Sequence, residues 1–571
     1  MRAVVHAIAS AALVAAAAGP CAAPLRAVAA DPAPTRVFLF AGQSNMVGAD
    51  VDQARIDDYP EFVGAGAPQE DVRFAFLPEG ENGDGDWGPL RPLRSFGPEL
   101  TFARRLKSHG IGPLAIVKSA VGGTTVAFDW NPDAPERGQK LYPRTLALLK
   151  RALADLDARG VAYRLEGVVW HQGENDMLDR ALCPRYAEGL DALVGRLRAD
   201  LGAPELKWYL AEVSEKGIWG MDHRGPLGLF RREQEKVLRA DPLTRFVPTS
   251  HLAFEVMGSG QPHYHFGTQG QLQLGEACAD AYLREVGALQ PPPERRFPDG
   301  MPPAAGARVR LFVLAGQRSM EGEDAHVAEI VADERFAALG QDRSDVLFRY
   351  SLGGGVRASC DWEPLGPVGF LGSFGPELSF GARLRAATDP DVGVAIVKFT
   401  HSGAQSPDWS PEGSEEAHRD LYRRFVRFVR DARDDLVRRG CDVRLEGIAW
   451  TAGENDAFFG PYVKNLPVAM RRLVEATRAD LGEPGLPWVI AAHHDRAPWG
   501  NVAAVNADLA ALAEALPGVV VVETSDLPYL RAWYGTAGTL RLGDSLAGAF
   551  EKRAERAAEE GSAAESGAPR R

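Results

Sequence analysis

Residues 37–46 read Val37-Phe38-Leu39-Phe40-Ala41-Gly42-Gln43-Ser44-Asn45-Met46, and 274 positions later residues 311–320 read Leu-Phe-Val-Leu-Ala-Gly-Gln-Arg-Ser-Met. Each stretch is an unbroken apolar run that ends in Gly-Gln and a polar residue. A strand with one face in water alternates apolar and polar positions, so an unbroken run predicts a strand buried on both faces. The Gly that follows predicts a tight turn opening a helix. Together they point to a parallel sheet covered by helices on both sides.

Three further blocks recur in the same order. Ser95-Phe-Gly-Pro-Glu-Leu-Thr-Phe102 answers to Ser373-Phe-Gly-Pro-Glu-Leu-Ser-Phe380, and Leu114-Ala-Ile-Val-Lys118 to Val394-Ala-Ile-Val-Lys398. Arg164-Leu-Glu-Gly-Val-Val-Trp-His-Gln-Gly-Glu-Asn-Asp176 answers to Arg444-Leu-Glu-Gly-Ile-Ala-Trp-Thr-Ala-Gly-Glu-Asn-Asp456. A period this long is far above that of a solenoid and implies a duplicated domain. The expected organisation is a signal at 1–30, a first domain at 33–288, a Pro-rich linker at 289–307, a second domain at 308–552 and a disordered tail at 553–571. Within the halves, Val37–Phe40, Ala115–Val117 and Gly167–Trp170 read as strands, and Glu99–Lys107 and Tyr142–Arg159 as helices. In such an α/β domain a ligand sits at the carboxyl ends of the strands. There the sequence places Gly42-Gln-Ser-Asn45, Val121-Gly-Gly-Thr124 and His171-Gln-Gly-Glu174.

Composition narrows the function. Among 571 residues, 64 Lys and Arg face 77 Asp and Glu, a net charge of −13 with no long basic run, which argues against nucleic acid as a partner. Five cysteines (Cys21, Cys183, Cys278, Cys360, Cys441) show no Cys-x-x-Cys and no metal-ligand spacing, which excludes a disulfide scaffold and leaves pairing open. Arg2, the apolar run Val4–Ala18 and Val28-Ala-Ala30 have the layout of a secretory signal, so a secreted or periplasmic protein is expected. Pro20 does not supply the small residue that lipidation of Cys21 would need. Nothing after residue 30 approaches the length of a membrane span.

Ser44, on a Gly-containing turn between strand and helix, is placed as a nucleophilic serine would be. Met46 breaks the lipase Gly-x-Ser-x-Gly elbow. The bland reading of Ser44 alone is a helix cap, but its company decides otherwise.

Ala41-Gly-Gln-Ser-Asn-Met46, Gly122-Gly-Thr124, Trp170-His-Gln-Gly-Glu-Asn-Asp176 and His265-Phe-Gly-Thr-Gln-Gly-Gln-Leu-Gln-Leu-Gly275, in this order, resemble the sialate O-acetylesterase/acetylxylan esterase family, carbohydrate esterase family 6 of the SGNH hydrolases. The resemblance implies two tandem flavodoxin-like three-layer α/β/α domains with parallel sheets, no metal or other cofactor, and hydrolysis of O-acetyl esters on carbohydrates. It makes Ser44 the nucleophile and His265 the base. The N–H groups of Ser44 and of Gly122 or Gly123, with the Gln172 side-chain amide, become oxyanion donors, each worth about 10²–10³ in rate. Gln43, Asn45, Thr124 and His171 are expected against substrate. Many SGNH members carry Asp three residues before the histidine, but that place is Pro262 here. Glu174 is therefore the first candidate to hold the imidazole, with Gln261 or a main-chain carbonyl as substitutes. His263 is the other histidine to weigh; the Phe-Gly-Thr-Gln-Gly that follows favours His265.

In the second half Arg318 stands for Ser44, Ser402 for Gly122, Thr451 for His171, Ala452 for Gln172 and Trp533 for His265, so this copy is expected to be inactive. Lys398, Glu454, Asn455 and Asp456 persist, as residues supporting the fold would. A metal at His493-His494-Asp495 is disfavoured, since adjacent strand residues point to opposite sides. Trp87, Trp130, Trp409, Trp533 and Tyr534 read either as sugar platforms or as core. A non-enzymatic carbohydrate-binding or scaffolding protein is the competing reading, and a thioesterase a third.

Overall fold

The computed structural model describes residues 33–77, 86–134, 136–213, 224–254, 265–289, 295–298, 303–332, 334, 336–413, 420–451, 453–458, 460–530 and 534–566. The expected signal, Gln261, Pro262, His263, Ala452 and Trp533 lie outside the described residues.

The first half builds one sheet from β1 (Thr35–Gly42), β2 (Gln69–Phe76), β3 (Gly88–Leu90), β4 (Leu114–Ala120), β5 (Tyr163–His171), β6 (Lys207–Ala211) and β7 (Thr244–Val247), in the order β3-β2-β4-β1-β5-β6-β7. β1 lies at the centre, parallel to β4 and β5. Its helices are α1 (Ser44–Val47), α2 (Glu99–Ser108), α3 (Leu141–Ala158), α4 (Glu174–Leu178), α5 (Tyr186–Leu201), α6 (Arg224–Ala240) and α7 (Gly267–Glu285). Successive residues of a strand point to opposite faces. Val37, Leu39 and Ala41 accordingly join the core under α3, α5 and α6, whereas Phe38 and Phe40 join the core under α2 and α7. This is the three-layer sandwich implied by the unbroken apolar run.

The second half repeats the plan. β8 (Arg308–Gly316), β9 (Arg343–Leu352), β10 (Arg357–Ala358), β11 (Glu363–Leu365), β12 (Gly393–Thr400), β13 (Asp442–Thr451), β14 (Trp488–Ala491) and β15 (Val519–Val522) take the order β10-β9-β12-β8-β13-β14-β15, with β11 also on β9. Both sheets are mixed rather than wholly parallel. β3 runs antiparallel to β2, and β10 and β11 antiparallel to β9. A short return connection can form only an antiparallel neighbour, whereas a parallel one needs a crossover of a dozen or more residues.

Internal duplication extends to buried polar contacts. Lys118 Nζ lies 2.8 Å from Glu99 Oε1, and Lys398 Nζ lies 2.7 Å from Glu377 Oε2 with both side chains fully buried. Tyr142 donates to Asp200 at 2.6 Å, as Tyr422 does to Asp480 at 2.5 Å. Trp130 packs edge-on against Trp170 at 5.0 Å and Trp409 against Trp450 at 4.8 Å, so Trp130 and Trp409 are core rather than sugar platforms. Tyr534 is buried too.

The halves touch. His326 Nδ1 lies 2.5 Å from Glu61 Oε1 across the boundary, and the His251 ring lies 4.0 Å from that of Phe370. At the far end, helix α14 (Thr536–Ser566) continues through most of the stretch expected as a disordered tail, which is rich in the strong helix formers Ala, Glu and Arg. (Helices α8–α13 are Arg318–Glu321, Val327–Ala332, Glu377–Ala386, Leu421–Arg438, Gly460–Leu481 and Val502–Ala515.) Among the described residues Cys183, Cys278, Cys360 and Cys441 are free thiols. No described helix is long and apolar enough to cross a membrane.

Candidate active site

The chain leaves β1 at Gly42, where φ is +154° and a Cβ would stand 2.0 Å from the carbonyl oxygen of His171. Only glycine allows β1 and β5 to end so close together. The turn sets Ser44, half-buried, as the first residue of α1. Gly48 and Ala49 both donate to the Ser44 carbonyl at 3.0 Å, which folds the following loop back on the serine. β4 ends next to β1 and delivers Gly122 and an exposed Gly123 with φ +71°. Among the described residues, the N–H groups of Ser44, Gly122 and Gly123 donate to no protein acceptor. They are thus available to an oxyanion arriving at the carboxyl ends of β1 and β4.

His265, just before α7, comes to this place through its neighbours. Asn45 Oδ1 accepts from the N–H of Phe266 at 3.1 Å, and the Asn45 carbonyl accepts from Gln271 Nε2 at 2.7 Å. The Asp52 N–H donates to Thr268 Oγ1 at 2.9 Å. Residues adjacent to the serine and to the histidine are therefore bonded directly.

One partner of His265 was not foreseen. Its Nδ1 lies 2.5 Å from Asp50 Oδ2, across 215 positions of sequence. Glu174, expected in that role, does something else. Its Oε1 accepts from Asn45 Nδ2 at 2.8 Å and lies 3.7 Å from His171 Nδ1. Asn45 is held by Glu174 on one side and by Phe266 on the other, so the carboxylate of Glu174 braces the turn rather than the imidazole. The only hint of Asp50 in the sequence was its place six residues after Ser44 on the same loop.

The remaining motif residues form a buried polar lattice at the strand ends. Gln172 is fully buried; its Nε2 lies 2.6 Å from Asp176 Oδ2, 2.8 Å from the Thr124 carbonyl and 3.2 Å from Gln43 Oε1. With two hydrogens and three acceptors, that amide is fully engaged within the protein. Gln43 donates to Asn175 Oδ1 at 3.1 Å, and Thr124 donates to the Val121 carbonyl while accepting from Trp130 Nε1. His171 is fully buried with its ring edge-on to Phe266 at 5.5 Å, and burial lowers its pKa, which keeps it neutral. Asp176 is pushed up to about 6 by burial, opposed by Gln172 and by the N–H of Val126. Gln43, Asn45, Thr124 and Gln172 are thus bonded to protein partners, as buried polar groups generally are, and His171 is packed among them.

A family model described as carbohydrate esterase, sialic acid-specific acetylesterase matches residues 34–284 and again residues 308–552. The chain belongs to this family. Within this acetylesterase family it is similar to a probable carbohydrate esterase of Arabidopsis thaliana, 28% identical over 266 residues that cover 44% of this chain and 91% of the relative. Among solved structures it is similar to a carbohydrate acetylesterase from Xanthomonas citri (21% identity, TM-score 0.34, 45% of this chain and 58% of that one). It is also similar to NanS (16% identity, TM-score 0.34, 44% of this chain and all of that one).

The second acetylesterase-like domain presents a different surface at the same strand ends. Arg318 is buried where Ser44 stands; its Nε donates to Asn455 Oδ1 at 2.8 Å, and its guanidinium lies 4.0 Å from Glu323. Glu454 Oε1 accepts from the Ser319 N–H at 3.0 Å, and burial raises its pKa. Asp456 accepts from Gln317 and from the Ser406 N–H, much as Asp176 serves Gln172 and Val126. Lys398, Glu454, Asn455 and Asp456 are scaffold. The Ser319 N–H is bonded into this lattice.

Proposed function

We propose that the protein is a serine esterase that hydrolyses O-acetyl esters on carbohydrates, acting from its first domain with Ser44 and His265. The observation that carries this reading is the placement, at the carboxyl ends of β1 and β4, of Ser44 and the N–H groups of 44, 122 and 123, which donate to no acceptor among the described residues, while the serine loop is stitched to the segment that begins at His265. Ser44 Oγ attacks the acetyl carbonyl carbon as His265 takes its proton, and the carbonyl oxygen becomes an oxyanion met by the three N–H groups. Collapse breaks the bond to the sugar oxygen, which leaves with the proton from His265. Water, losing a proton to His265, then attacks the acetyl-serine; acetate leaves and Ser44 regains its proton. No step calls on a cofactor. The second domain, with a buried arginine at the serine position, is proposed to be inactive, and the layout of residues 1–30 supports export. The sugar that carries the acetyl group is open.

The test is acetate release from p-nitrophenyl acetate and from acetylated glycans, comparing the protein with Ser44→Ala and His265→Ala. Both variants should lose about 10³-fold or more in kcat, and to a similar degree, because members of one catalytic unit are not additive. Equal rates in all three proteins would overturn the reading in favour of a binding protein.

A further inference from the structure

We propose that Asp50 is the positioning residue of His265, an acid supplied by the serine's own loop where the place three residues before the histidine is Pro262. This rests on the Ser44–His265 reading. The geometry points to it in three ways. The Asp50 carboxylate lies 2.5 Å from His265 Nδ1. When that nitrogen carries the hydrogen and gives it to the carboxylate, Nε2 keeps the lone pair that takes the serine proton, and the imidazolium formed on transfer has a fixed negative partner.

The loop is also built to hold this carboxylate. Gly48 and Ala49 donate to the Ser44 carbonyl, and Asp52 donates to Thr268 beyond the histidine, so Asp50 is pinned from both sides. Asp50 itself has φ +60°, a conformation a side chain adopts at a cost unless its surroundings demand it.

The duplicate supplies the comparison. Gly48 and Gly322 cap their turns alike, at φ +90° and +89°, so Asp324 is the counterpart of Asp50. Asp324 is not among the residues with positive φ, and the residue matching His265 there is Trp533. The left-handed backbone occurs only in the copy that has a histidine to orient.

The experiment uses the full-length protein with Asp50→Asn and Asp50→Glu. Asparagine also tolerates φ near +60°, so the loop is preserved and only the charge is lost. The expected result for Asp50→Asn is a fall in kcat of up to about 10⁴-fold, with KM much less affected and part of the loss recovered in Asp50→Glu. With histidine labelled in ¹⁵N, the downfield Nδ1–H proton resonance assigned by its loss in His265→Ala should disappear or move upfield in Asp50→Asn. Unchanged kcat in an active enzyme, an unmoved His265 resonance, or unfolding of Asp50→Asn would each overturn the proposal. The resonance is read whether or not the protein cleaves acetyl esters, so failure of the esterase reading and failure of the Asp50 assignment are separable.

Discussion

Truncating Gln172 to alanine separates the role its motif suggests from the role its surroundings assign. The amide donates into Asp176, Thr124 and Gln43 inside a fully buried lattice. The amide has two hydrogens, so removing it costs the bond to the Asp176 carboxylate and one bond to a neutral carbonyl oxygen. A lost bond to a charged group costs about 1.5–3 kcal/mol and each neutral one about 1 kcal/mol. The sum is about 2.5–4 kcal/mol, and for a domain of this size each kcal/mol lowers the midpoint by about 2–4 °C. Thermal unfolding of Gln172→Ala, followed by calorimetry to resolve the first domain, should therefore show a fall on the order of 10 °C. Activity on p-nitrophenyl acetate well below that midpoint should fall less than the 10²–10³ expected for an oxyanion donor. A variant with an unchanged midpoint and a kcat reduced by 10²–10³ would refute this reasoning and return Gln172 to the oxyanion hole.

Three further outcomes are expected. Lys398→Ala should destabilise the second domain by about 3–5 kcal/mol in urea unfolding, because it strands Glu377 as a buried, unpaired charge; a loss under 1 kcal/mol would contradict this. At the boundary between the halves, burial alone would lower the pKa of His326, but the hydrogen bond and charge of Glu61 outweigh it and raise the value above 6.5. The contact therefore stabilises fully below pH 6.5 and is lost as pH rises through the raised value. Replacing His326 by alanine should lower the unfolding midpoint more at pH 5.5 than at pH 9; equal losses would count against it. Arg318→Ser in a Ser44→Ala background should restore no acetyl-ester hydrolysis, since the second domain has Trp533 in place of the base; measurable turnover would show that it retains a latent site.

Much of the candidate site was legible because its signals are local. Gly42 before Ser44 and the Gly122-Gly123 pair are backbone requirements, and the structure uses these residues as the turn chemistry demands. The segment after His265 points to it by resemblance, and the structure bonds its neighbour Phe266 to Asn45 beside Ser44. The protein contacts of Gln43, Asn45, Thr124, His171 and Gln172 are not legible in the sequence, for one shared reason. A polar residue at a strand's carboxyl end can face the cleft or the protein interior; Gln43, Asn45, Thr124 and Gln172 bond to protein partners, and His171 packs against Phe266. The pairing of Asp50 with His265 left no local trace, because the two are 215 positions apart.

The sequence by itself determined the duplication, the layered α/β architecture and the loss of serine, histidine and glutamine from the second copy. Apolar periodicity, repeated blocks and residue identity are properties of the chain and need no partner to be read. The tertiary structure alone decided which carboxylate meets His265, which amides are committed to the scaffold, and that Glu61 and His326 join the halves. Those contacts depend on where loops from distant strand ends converge, and that convergence is set by the packing of the whole sheet.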